Sequence, residues 1–242
     1  MLYSSIYSVI LSSIINVCKR YGWIILNKLI NKRKYSTRKK VLKINNKYSY
    51  KKSNQKILSY INDRYSPRNF LNKEIEIEKL DLIFQAARLA PSGFNNQPWR
   101  YIVVNKNSPT RKDLENSLMP GNGWASSAPT LIVCFSNKKF QSSANGIPYY
   151  IYDSALSVMS LCIEAEHQGL KSHQMGGFFA GKVRKALNIP EDYDILVVIA
   201  IGYEDKNLRI TQKISEGIKN KIFKPRERKE LKEILFYDYF NK

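Results

Sequence analysis

An α+β fold is expected for this chain on three observations. Helical and strand patterns interleave irregularly, without the regular βα alternation of a doubly wound sheet. Two runs, residues 130–135 and 195–201, are continuously apolar and predict strands buried on both faces. No P-loop is present and no Gly-x-Gly-x-x-Gly follows a strand, so the markers of a nucleotide-binding doubly wound sheet are missing.

The 242 residues fit one domain with an appendage. The net charge of +20 would suggest a nucleic-acid partner, but its location argues otherwise. The first 60 residues hold 14 of the 40 Lys and Arg and no Asp or Glu, which leaves 26 basic against 20 acidic residues in the rest. The excess belongs mostly to residues 1–52, read as a basic, acid-free amphipathic extension and linker. Residues 53–242 form the expected globular domain.

Taken in order, residues 1–17 place serines and Asn16 on a narrow stripe of an otherwise apolar helical period, and Trp23 with Ile24, Ile25 and Leu26 continues an apolar face among cations. Three readings of residues 1–30 stay open: an interfacial helix in peripheral contact with anionic lipid, an organelle-targeting leader in a eukaryote, and a helix packed on its own domain or partner. Ser53 can cap a short helix bearing Ile57, Leu58 and Ile61, which Pro67 bars from continuing. Residues 76–89 read as an amphipathic helix with Ile77, Leu80, Ile83, Phe84 and Ala87 inward. A strand over 101–104, a helix over 110–118 and the strand at 130–135 come next. The longest helix spans about 149–168 and ends before Gly169. A strand at 170–175, a helix at 181–187 and the strand at 195–201 follow, then a polar stretch read as helical.

The chemistry-bearing segments are few. Cys18, Cys134 and Cys162 are scattered and read as inert thiols in a reducing, cytoplasmic setting, with membrane association through the extension as the alternative. His167 and His173 make no metal-ligand spacing with any cysteine, so no metal is expected. Gly-x-Ser-x-Gly and a Cys–His pair with an orienting third residue are both missing. An enzyme so short of nucleophiles borrows a cofactor, and no catalytic side chain is assigned. Arg64, Ser66 and Arg68 alternate, so an extended segment turns two guanidiniums and a hydroxyl to one side, suited to a phosphate and a carbonyl oxygen. Residues 90–99, Ala-Pro-Ser-Gly-Phe-Asn-Asn-Gln-Pro-Trp, carry more amides than a turn uses. Gly176 and Gly177 permit close approach of backbone, or simply a tight turn, and Arg226 and Arg228 add cations near the C-terminus.

In this order, with Trp-Ala-Ser-Ser-Ala-Pro at 124–129 and Ile-Gly-Tyr at 201–203, these segments resemble the FMN-dependent nitroreductase family over residues 60–237. The resemblance implies an α+β sandwich around a mostly antiparallel sheet flanked by helices, as an intertwined homodimer. It implies FMN held at its phosphate by Arg64, Ser66, Arg226 and Arg228, with Arg68 beside N1 and O2 and Gly176 and Gly177 offering N–H groups near N5 and O4. Pro91, Ser92, Gly93 and Asn95 would cover the ring from the other subunit. The activity implied is oxidation of NADH or NADPH at the flavin and ping-pong reduction of a small nitro, quinone or related substrate. Two alternatives stand beside it. One is a specialised branch, such as a reductive dehalogenase or a biosynthetic flavin-dependent oxidase, with residues 135–150 as a lid or a plain loop. The other is a membrane- or nucleic-acid-binding protein acting through its basic tail, although no specific nucleic acid is expected. Asn122 is near the position expected for contact with the pyrimidine edge, one residue out of step.

Overall fold

The computed structural model describes residues 57–140, 146–206, 227–230, 233–236 and 240. The expected extension and its boundary after residue 52, Cys18, Arg226 and the stretch following residue 206 lie outside the described residues. Nine regular elements are described: α1 (Ser59–Asp63), α2 (Ile77–Arg88), β1 (Trp99–Asn105), α3 (Arg111–Asn116), β2 (Thr130–Asn137), α4 (Tyr149–His167), β3 (Lys171–Met175), α5 (Ala180–Leu187) and β4 (Tyr193–Gly202). Short 3₁₀ turns lie at Gly93–Asn95 and Gly123–Ser127.

The four strands form one antiparallel sheet in the order β1-β2-β4-β3. The two continuously apolar runs, β2 and β4, occupy its centre, as their burial on both faces requires. One face of the sheet packs Ile132, Cys134, Ile199 and Ile201 against Ile83 and Ala87 of α2 and Val158, Leu161 and Cys162 of α4. The other face packs Val104, Leu131, Val133, Val198 and Ala200 against Leu114 of α3, Val183 of α5 and the turn residue Ala125. Sequestering side chains such as Ile83, Leu161 and Ile199 contributes about 1.5–3 kcal/mol each. The architecture is the expected α+β sandwich, with helices on both faces of an antiparallel sheet.

α2 and α4 run antiparallel. Lys79 Nζ reaches the Gln168 carbonyl just past the end of α4, at 3.0 Å, while Gly93 beyond α2 meets Asp153 near the start of α4. This explains one departure from the sequence expectation. Ile77 is 63% exposed, although its spacing matches Leu80 and Ile83. It lies about half a turn before Lys79, where no helix remains beneath it. Inside the interface, Ser157 Oγ donates to the Ala87 carbonyl at 2.8 Å, so the Tyr101 hydroxyl at 2.7 Å must donate to Ser157. Among the described residues no helix is long and apolar enough to cross a membrane.

The first helix is later than expected, starting at Ser59, and it ends at Asp63, four residues before Pro67. The segment after it is fixed to the end of β4. Leu71 N donates to the Tyr203 carbonyl at 2.8 Å, Asn69 Nδ2 to the Asp205 carbonyl at 2.8 Å, and Asp205 N back to the Asn69 carbonyl at 3.1 Å. Phe70 lies 4% exposed over Gly202, where an added Cβ would come within 2.5 Å of the Pro129 ring. A residue with a side chain there would force apart the β4 end and the segment it anchors.

Candidate functional site

Pinning residues 69–71 to β4 sets the preceding Arg64–Arg68 segment at that end of the sheet. Arg64 caps α1 in an extended conformation, and its Nη1 donates to Ser66 Oγ at 3.4 Å. The alternation expected from the sequence therefore does bring this guanidinium and hydroxyl to one side. Pro67 between them is buried, Arg68 is half-buried and Ser66 is exposed.

β3 forms the wall beside this segment. His173 Nδ1 stands 2.7 Å from the Pro67 carbonyl, which can only accept, so Nδ1 carries the proton. Burial lowers the pKa of this imidazole below its ordinary value, the bond to Pro67 works against that, and the neighbouring Arg68 and Arg64 lower it further. The His173 ring lies 4.4 Å from that of Trp124, whose indole Nε1 is buried without a hydrogen-bond partner among the described residues. Trp124 in turn stacks on Phe70 at 6.3 Å.

Gly176 and Gly177 follow the last residue of β3, Met175, which pairs with Val198, four residues short of Gly202. The two are not equivalent. An added Cβ at Gly176 meets nothing within 4 Å, whereas one at Gly177 would come within 2.8 Å of Asn122 Nδ2. Asn122 Nδ2 donates to the Gly177 carbonyl at 2.8 Å, and Met119 N donates to the same oxygen at 3.0 Å. Asn122 is thus joined to the Gly-Gly turn. Gly176 offers an exposed stretch of backbone with open space in front of it.

The loop at 91–97 stands elsewhere. Gly93 N donates to Asp153 Oδ2 at 3.0 Å, and Gln97 N to Ser92 Oγ at 2.9 Å. Phe94, Asn95 and Gln97 adopt positive φ values of 52°, 56° and 45°, which non-glycine residues rarely take. Pro91 and Asn95 are exposed, Ser92 and Gly93 half-buried, and Phe94 is 91% exposed beside Leu89 at 76%. This is backbone held in a costly form to display side chains outward.

Strand register places the two groups at opposite ends of the sheet. Trp99, next to the loop, pairs with Ser136, which pairs with Asp194 at the start of β4. The Arg64–Arg68 segment is anchored beyond Gly202, at the finish of β4. Seven residues of strand from Asp194 to Ile201 separate them by about 20 Å. The structure thus sets Arg64, Ser66 and Arg68 by the Gly202 end of β4 and Pro91, Ser92, Gly93 and Asn95 by its Asp194 end, with Gly176 and Gly177 following β3 between the two, beyond the Met175–Val198 pair. Arg228 is exposed, and its guanidinium donates to the adjacent Glu227 carbonyl at 3.0 Å.

Three residues next to these groups have partners that the sequence alone does not show. Asp153 is one acidic residue inside a mostly apolar helix, and only its 4% exposure marks it out. His173 makes no metal-ligand spacing and Trp124 stands in the 124–129 segment, and neither position points to the Pro67–His173–Trp124 contacts that β3 creates. Cys134 and Cys162 are buried, as expected, and burial pushes the Cys134 thiol up to about 12. No cluster of three or more His, Cys, Asp or Glu among the described residues is placed to hold a metal ion.

Comparison with known proteins identifies the family and the fold. The chain matches the Nitroreductase family over residues 61–122 and 116–203. It is 28% identical over 182 residues to the oxygen-insensitive NADPH nitroreductase of Helicobacter acinonychis, covering 59% of this chain and 84% of that protein. It is 26% identical over 172 residues to the iodotyrosine deiodinase of Haliscomenobacter hydrossis, covering 60% of this chain and 77% of that one. A solved structure described as an oxidoreductase containing FMN superposes with a TM-score of 0.67 at 27% identity, over 78% of this chain and 95% of that chain. With its antiparallel sandwich, its paired Arg64 and Ser66 and its Gly-Gly turn, the chain belongs to the nitroreductase family.

Proposed function

We propose that this protein is an FMN-dependent oxidoreductase that oxidises NADH or NADPH and then reduces a small organic substrate, such as a nitro compound or quinone, by a ping-pong scheme. The observation that carries the reading is the bonded pair of Arg64 and Ser66 at one end of the sheet, with Arg68 on the same segment and a glycine turn facing open space further along it. That set suits an anionic phosphate joined to a flat group with polar edges. The similar solved oxidoreductase that contains FMN supports the identity of the ligand.

FMN, when bound, supplies the hydride chemistry, and the side chains contribute binding, orientation and electrostatics. Arg64 and Ser66 hold the phosphate, with Arg226 and Arg228 as the further cations. Arg68 places positive charge against the ring's pyrimidine edge. The Gly176-Gly177 turn would offer its backbone N–H groups to the ring, with the Gly177 carbonyl already taken by Asn122.

The loop bearing Pro91, Ser92, Gly93 and Asn95 stands about 20 Å of strand away from the arginines of the same chain. We therefore assign it to the site of a second copy, in a homodimer with two equivalent sites. Exposed Phe94 and Leu89 at the loop suit burial against that copy.

A second reading, reductive dehalogenation, is favoured by the relatives named iodotyrosine deiodinase. A substrate panel under excess NADH and NADPH separates the two. Fast turnover of nitroaromatics and quinones supports the first reading. Poor turnover of those with fast dehalogenation of a halophenol supports the second.

A further inference from the structure

We propose that His173 is a positioning residue for the cofactor-binding arginines, acting through the backbone of Pro67. The proposal rests on the flavin reading of the Arg64–Arg68 segment given above.

The segment is fixed at both ends. At one, Arg64 N donates to the Tyr60 carbonyl at 3.2 Å and closes α1. At the other, residues 69–71 are bonded to the residues following β4. The middle has to be set separately, because Pro67 has no N–H and its carbonyl is the one backbone bonding group it offers. That carbonyl accepts from His173 Nδ1 at 2.7 Å. It is a well-formed bond from a half-buried ring to the residue between Ser66 and Arg68, within the stretch whose spacing the ligand must match.

The chemistry explains why a histidine serves here. The charged groups facing the ring are Arg64 and Arg68, both on the segment it holds. The neighbour on the 3₁₀ turn is the uncharged Trp124, and the paired residue on β4 is Ala200. A lysine or arginine at 173 could donate to Pro67 only by adding a third positive charge beside two others. A neutral imidazole donates through Nδ1 without adding charge, and burial beside the guanidiniums favours that neutral form. Trp124 holds the ring plane from the other side. The result is a short relay from β3, a rigid element of the sheet, to the two guanidiniums.

The test is an FMN titration followed by quenching of flavin fluorescence, on wild type, His173→Asn and His173→Leu. Asparagine presents Nδ2 near the place of Nδ1 and keeps the bond, and leucine removes it. About tenfold weaker FMN binding in H173L, with H173N within about threefold of wild type, is the expected result. Equal affinity in wild type and H173L overturns the proposal, and so does equal weakening in both variants, which would make the ring's packing responsible. Wild type without affinity for FMN instead removes the flavin reading itself. Should H173L not fold, ¹⁵N-histidine NMR of the wild-type protein decides. Nδ1-protonated His173 whose signals shift on adding FMN supports the relay, and the Nε2-protonated tautomer or an unmoved signal overturns it.

Discussion

The backbone N–H of Gly93 donates to Asp153 Oδ2 at 3.0 Å, tying the amide-rich loop to a carboxylate 4% exposed within α4. The bond lies far from the arginines, yet in the proposed two-copy site it would set where one subunit presents its loop to the other's ligand. Asp153→Leu is expected to destabilise the protein by about 1–3 kcal/mol in urea unfolding, because the Gly93 N–H loses its acceptor. It should also weaken FMN binding, whereas Asp153→Asn, which keeps an acceptor oxygen, should retain most of both.

Arg111 is buried with four partners. Its Nε pairs with Glu115 Oε1 at 2.8 Å, Nη1 donates to the Val104 carbonyl at 3.2 Å, and Nη2 to the Ala125 and Ala128 carbonyls at 3.3 and 2.7 Å. It clamps the turn carrying Trp124 to the end of β1. Arg111→Ala should cost about 3–5 kcal/mol in denaturant unfolding, since it strands these carbonyls and leaves Glu115 without its buried partner.

The two adjacent glycines should respond differently to alanine. In Gly177→Ala the new Cβ displaces Asn122 Nδ2 from the Gly177 carbonyl, for a loss of about 1 kcal/mol of stability. Gly176→Ala meets nothing in the protein and should leave the melting temperature unchanged. It fills the open space in front of the turn, so FMN affinity should fall. Paired thermal melts and FMN titrations check both.

Stability should depend on pH through His173. Its folded pKa is depressed below the ordinary 6.5, chiefly by burial, so the unfolded chain binds the proton more readily. The stabilising contribution is complete above pH 6.5 and is lost as the pH falls from there through the lower folded value. Glu76 behaves alike at lower pH. The Tyr203 hydroxyl donates to it and Lys73 lies 3.2 Å away, and its pKa drops from 4.5 to about 2, so its contribution disappears across that window. Urea midpoints for wild type and H173N should diverge between pH 7 and 5, with the wild type showing the greater loss.

The sandwich was legible because its central strands are apolar on both faces and its long helices carry a clear period. Strand and helix positions follow those patterns to within two residues from residue 77 to Gly202. The Arg64-x-Ser-x-Arg segment was legible for a similar reason, since alternation in an extended chain is local geometry. What could not be read was long-range pairing. Nothing near His173 in sequence points to Pro67, 106 residues away, nor anything near Asp153 to Gly93, 60 residues away. The exposure of Ile77 escaped for the same reason, because it depends on where α4 stops.

The central claim is that the arginine end of one chain and the amide loop of another build one FMN site. Two inactive proteins test it most directly: one with Arg64→Ala and Arg68→Ala, the other with Ser92→Leu and Asn95→Leu. Each alone should bind FMN poorly, while wild type binds one FMN per subunit. Co-refolded, they form mixed dimers in which intact arginines on one subunit meet an intact loop on the other. The account predicts one recovered FMN site per mixed dimer. Mixed dimers that bind no FMN, beside a wild type that binds it fully, would contradict the account.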